Sequence, residues 1–409
     1  MLSAAQDERR SVGVASPAQY SERLGVTRLV LTEFRNYRSA RIDGPPELIV
    51  LTGPNGAGKT NLLEALSLLS PGRGLRNARL GELDRRDDSG ADTNAGWAVA
   101  ATVATRRGPV AIGTGRAADG AGLQPAGVTR GERRLVRIDG EPAKGQAALA
   151  ERLGVLWLTP AMDRLFVEGP GGRRRLMDRF VLGVDPAHAG RVARYEQALR
   201  ERARLLRDRI DDPSWLGALE EIMAAEGIAV AAARRDAIEQ LDRVCRDAGG
   251  AFPRARLRLI GAAEDWLRDM PALAAEERLR AALRDARGAD ALTGGAAVGP
   301  HRSDLAVVHA DKGVAADIAS TGEQKALLIA IMLAQAELQR RVRGEPPLLL
   351  LDEVAAHLDG VRRIALFSIL AGRDAQAWIT GTDAQLFAPL AGAARFLSLR
   401  DGTLSDTAI

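Results

Sequence analysis

An α/β fold around a parallel sheet, split by a mainly helical segment, is predicted by three features of the sequence. The first is an apolar run, Leu48-Ile49-Val50-Leu51, that enters a glycine-rich turn and then a helical pattern. The second is another apolar run, Leu348 to Leu351, that ends in two acids, Asp352 and Glu353. Continuous apolar runs of this length read as strands buried on both faces, as parallel sheets require. The third is the stretch from Arg173 to about Cys245, where apolar residues step by three or four and mark helices. The two runs are therefore expected in one sheet, with the helical stretch inserted between them.

Taken in order, residues 1–26 are rich in Ser, Ala and Arg without sustained periodicity, and are expected to form a disordered extension. Arg28 to Arg38 alternates as a strand and ends in the turn Phe34-Arg35-Asn36-Tyr37; with Ala40 to Asp43 it suggests a small antiparallel sheet. Strands are expected over Trp97 to Ile112 and Leu135 to Ile138, with the Gly/Ala-rich stretch 113–129 as a loop. Val155 to Leu158 reads as a buried strand, closing a first half over 27–185. Val192, Tyr195, Leu199, Ala203, Leu206 and Ile210 form one face of a helix, which Asp211-Asp212-Pro213-Ser214 stops. That segment also caps a second helix, with Trp215, Leu219, Ile222 and Met223 as its stripe. A mainly helical lobe over 186–290 follows, including a short antiparallel pair with a strand near Arg254 to Ile260. Residues 291–409 return to α/β: helix 321–343, strand 347–351, helix 361–371, strand 377–380 and a strand near 396–399.

Composition sets outer limits. With 409 residues, 46% apolar and 27% charged, the chain has ample core for one large or two to three ordinary domains. A net charge of +4 permits a nucleic-acid partner without demanding one. A single cysteine, Cys245, excludes an intramolecular disulfide or a cysteine-rich zinc site and suits a reducing cytosol. The four histidines show no metal-ligand spacing, and the apolar segment Ala326 to Leu338 is too short to cross a bilayer. A cytoplasmic protein without a membrane partner is expected.

The turn after the first strand is Gly53-Pro54-Asn55-Gly56-Ala57-Gly58-Lys59-Thr60. Strand, glycine-rich turn and helix are the setting in which this pattern cradles phosphates with backbone N–H groups. Lys59 carries a compact charge to the β- and γ-phosphates, and the Thr60 hydroxyl suits Mg²⁺. A plain glycine-rich turn opening a helix is the bland alternative. It does not explain why a chain with only four lysines among 57 basic residues keeps one here. The nucleotide expected is a triphosphate, ATP in the reading adopted below. In the second run, Asp352 is the candidate Mg²⁺ ligand and Glu353 the catalytic group that polarises water. Upstream, Ser320-Thr321-Gly322-Glu323-Gln324-Lys325 opens a helix and offers a second anion site. Arg35, in the turn before the phosphate loop, is a candidate for contact with adenine or phosphate.

Walker A, an S-x-G-x-Q signature, an Asp-Glu strand end and the turn His357-Leu358-Asp359, in that order, resemble the ABC-type ATPases. Positions 53 and 320 are much farther apart than in a transporter subunit, and the insertion is far shorter than an SMC coiled coil. The fold expected is an ABC-type P-loop ATPase head split by a mainly helical lobe with only a short hairpin. Within that class the chain resembles the RecF family of bacterial recombination-mediator ATPases. The stretches that carry the resemblance are the Phe34–Tyr37 turn, GPNGAGKTNLLEA, SPGRGLR, Gly171–Arg175 with Met177-Asp178-Arg179, GPHRSDL, STGEQKALL and LLLLDEVAAHLD.

The resemblance implies an ATP-dependent homodimer in which Ser320, Gly322 and Gln324 of one subunit complete the nucleotide site of the other, with Asp359 along the seam. It implies DNA binding in the ATP state at gaps or single-strand/double-strand junctions, and slow hydrolysis that acts as a switch. RecR as a partner, RecO alongside, RecA loading and a nucleoid-associated location are implied as well. Two departures stand out: Thr380-Gly381-Thr382 replaces the histidine switch of transporters, and residues 1–26 have no family counterpart. A non-DNA ABC-type motor and an SMC-like structural head are the competing functions. The basic stretches 173–175, 200–209 and 254–258 could track a DNA backbone, but the solvated faces of arginine-rich helices are the favoured reading of any single cluster. His301, between the lobes, is expected to couple them.

Overall fold

A computed structural model describes residues 24–86, 96–117, 134–210, 212–372, 374–400 and 402–407, without the side chain of His357. The chain opens with β1 (Gly25–Phe34), β2 (Tyr37–Asp43), β3 (Ile49–Thr52) and α1 (Lys59–Ser67). Next come β4 (Trp97–Thr105), β5 (Gly108–Arg116), β6 (Leu135–Ile138), β7 (Glu141–Pro142), α2 (Ala147–Ala150) and β8 (Val155–Leu158). The helical stretch holds α3 (Pro170–Val184), α4 (His188–Arg207) and α5 (Pro213–Asp247). After β9 (Ala255–Ile260) it continues with α6 (Ala262–Asp269), α7 (Ala272–Asp285) and α8 (Arg287–Thr293). The last part contains β10 (Asp304–His309), β11 (Val314–Ala315), α9 (Thr321–Arg343) and β12 (Leu348–Leu351). It ends with α10 (Gly360–Ala371), β13 (Ala377–Gly381), β14 (Arg395–Arg400) and β15 (Thr403–Asp406).

Strands from both ends of the chain build the central sheet, in the order β15-β14-β3-β13-β12-β8. Its pairs are parallel except for the β14–β15 hairpin. Alternation sorts its side chains. Ile49, Leu51, Leu348 and Leu350 face one core with Leu62, Leu63 and Leu66 of α1. Leu48, Val50, Leu349 and Leu351 face the other, packed with α3, α9 and the end of α5. Two cores explain why these strands are apolar at every position. Beyond α1 lies an antiparallel sheet, β2-β1-β4-β5-β6-β7, whose inward residues include Leu29, Leu31 and Val99. Helix α9 is buried without a break from Gln324 to Met332, and Gln335 beyond it is buried as well, donating to the Phe180 carbonyl at 3.0 Å.

Several expectations need adjustment. Residues 1–23 lie outside the described residues, but 24–26, assigned to the extension, belong to the fold. Leu24 bridges to Ala375, and the buried Gln376 amide pairs with both backbone groups of Val26, at 2.8 and 3.0 Å. Most of the expected loop 113–129 lies outside the described residues, and β5 runs on to Arg116. Strand β9 pairs with β10, across the expected boundary at 290/291. Helix α5, 35 residues long, contributes Met223 and Ile228 to the core of the helical lobe and Ile238 and Leu241 to the central one. Among the described residues, no helix is long and apolar enough to cross a membrane.

The helical hairpin is turned relative to its apolar reading. On α4 the buried residues include Tyr195, Ala198, Arg202 and Leu205, and on the first turns of α5 Leu216, Leu219, Glu220 and Met223. Trp215, Ile222 and Ile210 are exposed instead. An ion network sets that rotation. Arg202, 1% exposed, donates to Glu220 (3.0 Å), Asp290 (2.8 Å) and the Leu283 carbonyl (2.6 Å). Asp212 caps α5 through the N–H groups of Ser214 and Trp215, as expected of that segment. Replacing Arg202 by Met leaves Asp290 buried without its cation, a loss of about 3–5 kcal/mol. Hydrogen exchange is expected to show that loss of protection in α4 and α5, with β3 and β12 unaffected.

Candidate active site

The phosphate loop lies where β3 ends and α1 begins, and two of its glycines are irreplaceable on steric grounds. Gly53 has φ 150° and a Cβ there would overlap the Leu399 carbonyl oxygen; Gly58 has φ 110° and faces the Asn36 amide. Pro54, Asn55 and Gly56 form the exposed rim, with Ala57 partly buried behind them. Lys59 folds back across the loop, donating to the carbonyls of Gly53 (2.7 Å) and Pro54 (2.9 Å). Burial lowers its pKa, and the charges of Glu353 and Asp352 oppose that shift.

The turn between β1 and β2 braces this loop. Asn36 donates to the Ala57 carbonyl (3.3 Å), and the buried Tyr37 hydroxyl donates to that of Gly58 (3.0 Å). Arg35, expected near adenine or phosphate, is committed elsewhere. Its Nε and Nη2 clamp the fully buried Glu64 of α1 at 2.9 and 2.8 Å, and Nη1 donates to the Glu82 carbonyl. Arg76 closes the other side of Glu64 at 2.9 Å. A carboxylate that is itself wholly buried needs such partners, and Arg35 is one of them.

Opposite the loop, register brings β12 and β13 into line, with Leu351 beside Ile379. The next residues, Asp352 and Thr380, bond at 2.7 Å, and Thr380 Oγ1 also accepts the Glu353 N–H at 2.9 Å. Thr60 Oγ1 donates to the same carboxylate, 3.0 and 3.1 Å from its two oxygens, although 292 positions separate the residues. Glu353 itself adopts φ 50°, a left-handed conformation uncommon outside glycine. Asn36, Tyr37, Glu64 and Thr380 were not singled out from sequence as site residues. Asn36, Tyr37 and Glu64 lie inside stretches that carry the family resemblance, and Thr380 is a hydroxyl near the end of an apolar strand; none of these signals names a role.

The signature residues divide. Ser320 and Gly322 are exposed at the start of α9, and Ser320 donates from N and Oγ to Glu323 at 3.0 and 2.8 Å. Gln324, expected to reach across a subunit seam, is buried and donates to the Ala319 carbonyl at 2.8 Å. It faces inward because it lies on the core side of α9, four residues from the cap. Asp359 caps α10 through the Arg362 N–H and is otherwise exposed.

A phosphate loop joined through a threonine to the acidic end of a parallel strand, with an antiparallel sheet over α1, is the architecture of ABC-type ATPase heads. The family model described as RecF/RecN/SMC N terminal domain matches residues 25–402. The DNA replication and repair protein RecF of Mesorhizobium japonicum is 47% identical over 386 residues, covering 93% of this chain and 98% of its own. RecF of Agrobacterium fabrum is 44% identical over 94% of this chain and 99% of its own. This chain belongs to the RecF family. A solved structure described as the recombination mediator protein RecF-ATPrS in the RecFOR pathway superimposes with a TM-score of 0.78. It is 21% identical and covers 94% of this chain and 99% of the other. An SMC head with an extended coiled coil from Pyrococcus furiosus gives 0.51 at 15% identity, over 94% and 96%. Among the described residues the helical lobe is a hairpin with shorter helices, and no long coiled coil is present.

The Glu323 carboxylate, bonded to Lys312 and to Ser320, is held down from 4.5 to about 2. Its hold on the signature turn is complete above the ordinary carboxylate range and is lost as pH falls toward the lowered value. A carboxyl-carbon NMR titration is expected to show this low midpoint in the wild type and a higher one in Lys312→Met.

Proposed function

We propose that the protein is an ATP-dependent, DNA-binding switch of recombinational repair. The single observation that carries this reading is the Thr60–Asp352–Thr380 constellation at the mouth of the phosphate loop. Membership of a family whose relatives are named DNA replication and repair proteins supports the DNA role. Structures described as RecF-ATP and RecF-ATPrS support ATP as the ligand.

On this reading the N–H groups of the loop bind the phosphates, and Lys59 exchanges the Gly53 and Pro54 carbonyls for phosphate oxygens. The Thr60 hydroxyl and Asp352 carboxylate are oxygen donors close enough to share one hard cation, so they fit Mg²⁺. When bound, Mg²⁺ neutralises charge on the β- and γ-phosphates. Glu353 orients the attacking water and accepts its proton, and Thr380 holds Glu353 in place through its N–H. Exposed Ser320 and Gly322 complete the site of a second copy, and Asp359 lies along the seam between them. ATP favours the closed dimer on gapped or junction DNA and slow hydrolysis releases it, a change driven by differential affinity for the two states. RecR and RecO as partners, and help in loading RecA, complete the proposal.

Binding to gapped duplex DNA, with and without ATP and Mg²⁺ and titrated in salt, tests the reading. Tight ATP-dependent binding with a steep salt slope is expected; equal affinity in both states would exclude the switch. Glu353→Gln is expected to bind ATP, accumulate dimer and hydrolyse about a hundredfold more slowly. Lys59→Met is expected to lose nucleotide binding or dimerisation. Thr380→Val should bind nucleotide normally and hydrolyse about tenfold more slowly, because it acts through its neighbours.

A further inference from the structure

A cleft of about 960 Å³ opens between the loop after α1, the start of α3 and the first turns of α4. It is distinct from the phosphate loop, none of whose residues line it. Six arginines line it: Arg234, which pairs with Asp178, and Arg73, Arg174, Arg175, Arg179 and Arg343. Among the described residues the last five make no ion pair with a carboxylate, unlike Arg173, Arg202, Arg234 and Arg395. The two acids in its wall are already engaged. Asp178 accepts from Arg234 at 2.8 and 2.9 Å and bonds His188, and Glu196 pairs with Arg200.

Arg174 donates to the Ser303 carbonyl at 2.9 Å, but Arg179 and Arg343 are left with unsatisfied nitrogens. Arg179 stacks on the Trp157 ring at 3.8 Å, and its buried Nε has no hydrogen-bond partner. One buried nitrogen of Arg343, Nη1, is equally without a partner. Burial, with Arg175 close by, pushes the Arg179 pKa down to about 9, a cost that a bound anion would remove. Unpaired buried donors of this kind are uncommon and call for an explanation.

The floor between the arginines is apolar, with Ala150, Leu153, Val155, Leu182 and Val192 among its residues. The aromatic rings in the wall offer no free face. Arg179 covers Trp157, Tyr195 and His188 are buried, and the His301 ring lies against Tyr195, whose hydroxyl it bonds at 2.6 Å. Bases of a single strand bind chiefly by stacking on free aromatic faces, and this cleft offers none. A duplex is far too wide for it. We infer that the cleft is a docking site for an acidic, partly apolar peptide segment of a partner protein, whose carboxylates pair with Arg175 and Arg179 while its apolar side chains cover the floor. Planar guanidinium forks suit carboxylates, and charge complementarity of this kind selects the partner.

The full chain is tested with a short fluorescein-labelled peptide alternating glutamate and leucine, against poly-glutamate and oligo-dT of equal charge. The peptide is expected to bind most tightly, and Arg175→Glu/Arg179→Glu to weaken it by about thirtyfold or more, with nucleotide affinity unchanged. If that variant loses nucleotide affinity or helical circular dichroism, Arg73→Glu on the exposed loop replaces it and is expected to weaken the peptide several-fold. Peptide binding that the folded variants leave unchanged, or no binding by the wild type, overturns the inference. So does oligo-dT that binds more tightly and displaces the peptide, which would make the cleft a nucleic-acid channel.

Discussion

The Asp352 carboxylate holds the two halves of this ATPase in one geometry. It accepts from Thr60 at the start of α1 and from Thr380 at the end of β13, and these residues come from opposite ends of the chain. Asp352 is itself buried, so it cannot lose these partners without a charge being left in a low-dielectric site. The central sheet serves the same end, because β3 enters it beside β13 and β14 and thereby sets the phosphate loop opposite the acidic strand end. Sheet register and hydrogen bonding thus constrain the same point.

Around that point the protein tolerates local strain. Arg35 and Glu353 both lie at positive φ, 55° and 50°, where non-glycine residues are uncommon. Each is held from outside its own segment: Arg35 by Glu64 and the Glu82 carbonyl, Glu353 by the Thr380 hydroxyl. Glu64 in turn is clamped by Arg76 from the loop after α1. The turn before the phosphate loop, the helix after it and the next loop are therefore tied together, and Asn36 and Tyr37 join them to Ala57 and Gly58.

Arginine does different work in the helical lobe and at the cleft. In the lobe, Arg202 is surrounded by Glu220, Asp290 and a carbonyl and acts as core. At the cleft, Arg175, Arg179 and Arg343 lack carboxylates and remain available to a ligand. Both kinds occur on helices with similar composition, and only the position of the acids around them separates the roles.

Much of the site was legible in the chain. Gly53 to Thr60, Asp352, Glu353 and Ser320 stand at ends of apolar runs or at a helix start, and such local patterns depend on backbone geometry that neighbours in sequence determine. The parallel strands, α9 and the helical insertion were legible for the same reason. What sequence could not supply depends on groups far apart in the chain: Arg35 turning to Glu64, Gln324 turning inward, Thr380 meeting Asp352, and the rotation of α4 about Arg202. A polar side chain's partner is chosen by burial and by what lies opposite it, and neither has a period along the sequence. Spacing picked out the candidate residues; tertiary contact decided which of them lie open at the surface and which hold the others in place.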